Sequence, residues 1–90
     1  MRLRRTLVFD LNPPGARMAD VPFPNVREIR ESLEMTQKEF ADTYGFSIGA
    51  VRHWEQGVRK PEKATRLMLH MIVLEPRAVK RTLKRFNDEV

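Results

Sequence analysis

Between Thr36 and Gly57 the chain carries a stop and a restart so close together that two helices must meet at a fixed angle. Thr36 is a helix-capping residue, and Glu39 stands three positions later, where its carboxylate reaches back in a capping box. Phe40, Ala41 and Tyr44 supply the apolar face of that helix, and Gly45 ends it in a left-handed conformation. Phe46 bridges the joint. Ser47 then caps a further helix that runs to about Gln56, with Gly57 at its end. Val51 and Trp54 fall three apart and face inward as pegs. So short a joint leaves the outward residues of the second helix, Ile48, Gly49, Arg52 and His53, presented on a braced frame.

The same signals organise the rest of the chain. Asn25 caps an earlier helix with Glu28 at the reciprocal position, and Val26, Ile29, Arg30 and Leu33 share one of its faces. That helix ends near Glu34 and Met35. After the loop Gly57-Val58-Arg59-Lys60-Pro61, with Pro61 suited to a first helical turn, a fourth helix is expected from about Glu62 to Glu75. Pro76 marks a break, and a fifth helix is expected from Arg77 to Phe86. Residues 1–24 are an arm or linker: Thr6 to Phe9 have strand propensity, while Pro13, Pro14, Gly15, Pro22 and Pro24 break regular structure. The arm is either a solvated tail or a segment that orders on a partner. The expected architecture is all-α, five helices over residues 25–90, with the helix-turn-helix at 36–56.

Ninety residues make one domain, whose small core favours a partner or a second copy. The fourth helix is apolar on more than one side. Ala64, Leu67, Met68, Met71 and Ile72 make one face, and Leu69, Val73 and Leu74 lie away from it. With Val79, Leu83 and Phe86 on the fifth helix, this excess suggests a dimer seam through Leu69, Val73, Val79, Leu83 and Phe86; the competing reading closes the core with the N-terminal arm packed back. His70 is expected at the surface or in the seam, and Lys80, Arg81, Lys84 and Arg85 on a solvated face.

Seventeen Lys and Arg against twelve Asp and Glu give a formal charge of +5, which favours a polyanionic partner. The chain has no cysteine, which excludes disulfides and a thiolate zinc site. His53 and His70 form no metal-ligand spacing, there is no glycine-rich phosphate loop, and no nucleophile stands in a recognisable pattern. No enzyme, cofactor or metal is expected. No apolar run approaches the roughly 20 residues of a membrane span, and Asp10 interrupts the short apolar stretch at the start, so a cytoplasmic protein is expected.

The run Gln37 to Gly57, followed by Arg59-Lys60-Pro61, resembles helix-turn-helix proteins of the xenobiotic-response-element and phage-repressor type. Val51-Arg52-His53-Trp54-Glu55-Gln56-Gly57 is most similar to antitoxins of the host-inhibition-of-growth toxin–antitoxin modules. The resemblance covers roughly residues 25–75. It implies a lambda-repressor-like fold that binds operator DNA as a two-fold dimer. It also implies phosphate contact near Gln37, base and backbone contacts from Ile48, Gly49, Arg52 and His53, and a partly buried ion pair between Arg30 and Glu55. Ala41 is small where two helices approach. Ser47, Gln56, Arg59 and Lys60 complete the candidate DNA contacts. The family often has polar residues where Ile48 and Gly49 stand, so no base code can be read here; Ile48 suits a thymine methyl. An antitoxin of this kind would also neutralise a small ribosome-dependent RNase toxin and repress its own operon. Arg4, Leu7 and Phe9 are the candidate toxin contacts, with Thr6 to Phe9 adding a strand to the toxin's sheet edge. The alternatives are a solitary transcription regulator and an interaction domain that no longer reads DNA.

Overall fold

The computed structural model describes residues 17–88. A single 3-10 turn, Met18–Asp20, is followed by five α-helices: α1 Val26–Ser32, α2 Gln37–Tyr44, α3 Ile48–Gln56, α4 Lys63–Leu74 and α5 Pro76–Asp88. The five-helix, all-α fold expected from the sequence is the one observed.

Three caps set the first three helix starts. The Asn25 side chain accepts from the Glu28 N–H, and the Ser47 hydroxyl from the Ala50 N–H. At Thr36 both halves of the capping box form: its hydroxyl accepts from the Glu39 N–H at 3.0 Å, and its own N–H donates to the Glu39 carboxylate at 2.8 Å. Three left-handed residues close the corresponding ends, Glu34 (φ 58°), Gly45 (φ 80°) and Gly57 (φ 76°). Each is followed or spanned by a bond that reaches back five residues: Met35 to the Arg30 carbonyl, Phe46 to that of Ala41, Val58 to that of His53. Glu34 has no glycine to ease this backbone, so the end of α1 carries a side chain in a conformation that L-residues rarely adopt.

The core joins α1 to α5 through Val26, Ile29, Phe40, Val51, Leu69 and Ile72, with Ala41, Tyr44 and Val79 completing it. Phe40 touches both Tyr44 (5.3 Å between centroids) and Phe46 (5.8 Å), and Phe46 meets the edge of Trp54 at 5.2 Å. This aromatic chain locks the α2–α3 joint, each favourable pair adding roughly 0.5–1.5 kcal/mol beyond burial.

Several expectations need correction. Pro61 is buried but precedes Glu62, the N-cap of α4, so it stands outside the helix. Pro76 is the residue that starts a helix, at the first position of α5, where its missing N–H is harmless. The inward face of α4 is Arg66, Leu69 and Ile72, while Ala64, Leu67 and Met71 are exposed. Leu69 is therefore enclosed by its own chain, and Val79 is buried with only its edge lining the groove between α4 and α5, so neither stands free as a seam residue was expected to. A helix apolar on several sides does not say which side turns in; contact with α1 and α5 decides it.

Candidate nucleic-acid interface

Helix α3 has two unlike sides. Val51 is fully buried, and Ile48 and Trp54 are half-buried against the core. Opposite them, Gly49, Arg52, His53 and Gln56 are all exposed. These four occupy positions i, i+3, i+4 and i+7, a single stripe along one helix surface. An α-helix with its side chains is about 10–12 Å across, which fits a major groove about 12 Å wide.

The stripe owes its orientation to Glu55, the next residue but two around the helix. Its side chain has 0% exposure and is held from three directions. Arg30 of α1 donates from Nε to Oε2 at 2.6 Å and from Nη2 to Oε1 at 3.0 Å. Arg27 donates to Oε1 at 3.3 Å, and Gln37 of α2 donates from Nε2 to Oε1 at 3.1 Å. Arg30 also donates to the Met35 carbonyl, tying in the α1–α2 turn. One carboxylate thus collects α1, α2 and α3. The charge-assisted bond from Arg30 holds the Glu55 carboxyl below its ordinary pKa against the opposing effect of burial, and the same bond raises that of Arg30.

The placement of the other sequence-selected residues is mixed. The Arg30–Glu55 pair forms as the resemblance implied. Gln37 is half-buried with its amide on Glu55, so its first role is inside the frame. Ile48 leans on the core instead of standing free, because it shares the side of Val51. The Ser47 oxygen is engaged as the α3 cap, although its hydroxyl proton remains to donate. Arg59 and Lys60 are exposed in the loop after α3. Space is open around Gly49, where an added Cβ would meet nothing within 4 Å. Arg4, Leu7 and Phe9 lie outside the described residues.

Sequence reasoning missed the segment before α1. Arg66 of α4 donates to the Val21 carbonyl at 3.0 Å, and His70 Nε2 donates to the Pro22 carbonyl at 2.8 Å. The Phe23 ring lies 4.3 Å from the Arg66 guanidinium carbon and 4.6 Å from Lys60 Nζ. Residues 21–23 are thus strapped to α4, partly as in the reading that packs the arm back. Proline-rich spacing gave a linker, and no local signal marked its partner, since Arg66 stands 45 positions after Val21.

No helix among the described residues is long and apolar enough to cross a membrane, and no group of His, Cys, Asp and Glu among them is placed to hold a metal ion. Residues 26–65 match the helix-turn-helix family. The type II methyltransferase M.SsoII of Shigella sonnei is 46% identical over 50 residues, 52% of this chain and 13% of that protein. This chain therefore corresponds to a small part of that relative's length. No solved structure matches.

Proposed function

We propose that this chain, whose residues 26–65 match the helix-turn-helix family, is a sequence-specific DNA-binding transcription regulator that needs no protein partner other than a second copy of itself. The observation that carries it is the exposed stripe Gly49, Arg52, His53, Gln56 on a helix anchored by Val51 and Glu55. Arg52 reaches a guanine edge or a phosphate, and a bidentate guanine contact discriminates by about 1–3 kcal/mol. Arg59 and Lys60 follow the backbone beside it, and the overall charge of +5 adds long-range attraction. Occupancy of an operator then obstructs transcription.

Two copies on a two-fold operator set their α3 helices about 34 Å apart, one turn of the duplex. The seam that suits this pairing is the apolar surface left on α4 and α5. It comprises Val73, Leu74 and Phe86, with the half-buried Leu83, beside a groove of about 280 Å³ that Leu67 and Met71 help to line.

An antitoxin role would add a surface for an RNase toxin. Its expected residues lie outside those described, and it rests on the resemblance of Val51 to Gly57 and of the following Arg59-Lys60-Pro61. The solitary regulator needs only the helix-turn-helix and its exposed basic stripe.

The test is fluorescence anisotropy with the DNA upstream of the chain's own gene. Expected are salt-dependent binding by the native chain, and roughly tenfold or greater weakening by Arg52→Ala, the equivalent of about 1.4 kcal/mol. Unchanged affinity in both Arg52→Ala and His53→Ala would remove α3 as the reading helix. A toxin-like protein of similar mass copurifying with the chain would restore the antitoxin reading.

A further inference from the structure

Phe23 presents half of its surface to solvent, 52%, immediately before α1, yet both its polar neighbours are cations. Arg66 is 8% exposed, and its Nε has no hydrogen-bond partner. Its Nη1 holds the Val21 carbonyl, and its guanidinium meets the Phe23 ring. The negative face of an aromatic ring supplies an electrostatic contact beside that of the Val21 carbonyl oxygen. Arg66 is a fixed element of α4, so it fixes the ring. The ring in turn lies 4.6 Å from the ammonium of Lys60, which is exposed in the loop between α3 and α4.

A lysine in a loop has a long stem and many rotamers, and ordering it at a phosphate costs entropy. A ring that already holds the ammonium removes part of that cost before DNA arrives. We infer that Phe23 is a positioning residue for DNA binding: through its ring it holds Lys60 at the duplex backbone beside α3, so that the segment before the helix-turn-helix sets part of its affinity. This rests on the DNA-binding reading above. Phe23 itself need not touch DNA.

The experiment measures DNA affinity across a salt series for the native chain, Phe23→Leu, Phe23→Tyr, Lys60→Ala and the double variant Phe23→Leu/Lys60→Ala. Leucine keeps apolar bulk over Arg66 and removes the ring face; tyrosine keeps the face. Phe23→Leu is expected to weaken binding roughly 2- to 5-fold, the range of an exposed cation–ring contact. Lys60→Ala is expected to lower the slope of log affinity against log salt by about one phosphate contact, roughly 0.9. The double variant should match Lys60→Ala alone, and Phe23→Tyr should bind like the native chain. The Lys60 side-chain proton resonances should lose their ring-current shift in Phe23→Leu.

Native affinity in Phe23→Leu, an unchanged slope in Lys60→Ala, or additive losses in the double variant would each overturn the inference. Absence of DNA binding by the native chain would instead overturn the parent reading.

Discussion

Arg30 grips both oxygens of the Glu55 carboxylate, Nε on one at 2.6 Å and Nη2 on the other at 3.0 Å, across 25 positions of sequence. The carboxylate has no exposure and the arginine side chain 15%, so water cannot replace either partner well. Glu55→Ala leaves a largely enclosed Arg30 without its anion and frees Gln37 and Arg27 as well. Breaking such a pair is expected to cost about 3–5 kcal/mol, read as a lower urea midpoint by circular dichroism. Arg27→Ala removes a mostly exposed contact and should change stability by less than about 1 kcal/mol.

The same pair sets an acid limit. The folded pKa of Glu55 lies below its ordinary 4.5, and that of Arg30 is raised by the same bond. The contribution of Glu55 is therefore complete above pH 4.5. As pH falls further, the unfolded chain binds a proton that the folded chain refuses, and stability declines until the folded carboxyl itself titrates. Thermal melts between neutral and acid pH should show this decline, and Glu55→Gln should have a lower plateau with a shallower fall. Equal slopes in the two proteins would assign the acid response to other carboxylates.

Helix ends give a graded series. Thr36→Ala loses the capping box and should cost about 1 kcal/mol. Gly45→Ala meets no neighbouring atom, so only the left-handed backbone opposes it, at roughly 1–2 kcal/mol, with Asn tolerated better. Glu34→Gly relieves the corresponding penalty at the end of α1 and should be neutral or stabilising. Chemical denaturation of the three variants orders them.

These ends also show what a sequence makes legible. Thr36, Glu39, Gly45 and Ser47 act on backbone within a few positions, so their roles could be read without knowing the fold. Gly49, Arg52 and His53 on the exposed stripe of α3 followed from the inward Val51 and Trp54 by helical spacing, whereas Ile48, expected outward with them, stands three positions before Val51 and leans on the core. Glu34 takes a glycine's conformation without being glycine, so that end of α1 carried no marker. Leu69 and Met71 are both apolar on one helix, and only the approach of α1 and α5 buries the first and exposes the second. Gln37 and Phe23 were obscure for the same reason. Their partners, Glu55 in one case and Arg66 and Lys60 in the other, stand far along the chain and meet them only after folding.

The proposed seam on α4 and α5 can be tested apart from folding. Leu74 is 70% exposed and Phe86 62%, so charging either should leave the monomer's melting intact. Leu74→Glu and Phe86→Glu are expected to convert a dimer to monomer in sedimentation velocity. Leu69→Ala, in the core, should instead destabilise by about 2–5 kcal/mol. Monomeric behaviour of the native chain at the concentrations that bind DNA would remove the seam.

The empty space around Gly49 makes that position a vacancy in the chain's vocabulary. On the DNA-binding reading, an alanine there would stand on the proposed groove face, its Cβ meeting no neighbour within 4 Å, and would recover part of the up to about 1 kcal/mol that glycine costs a helix. A new operator preference can therefore arise from one substitution while the scaffold stays as it is, and a small library at this single codon would reveal how many addresses one frame can be taught.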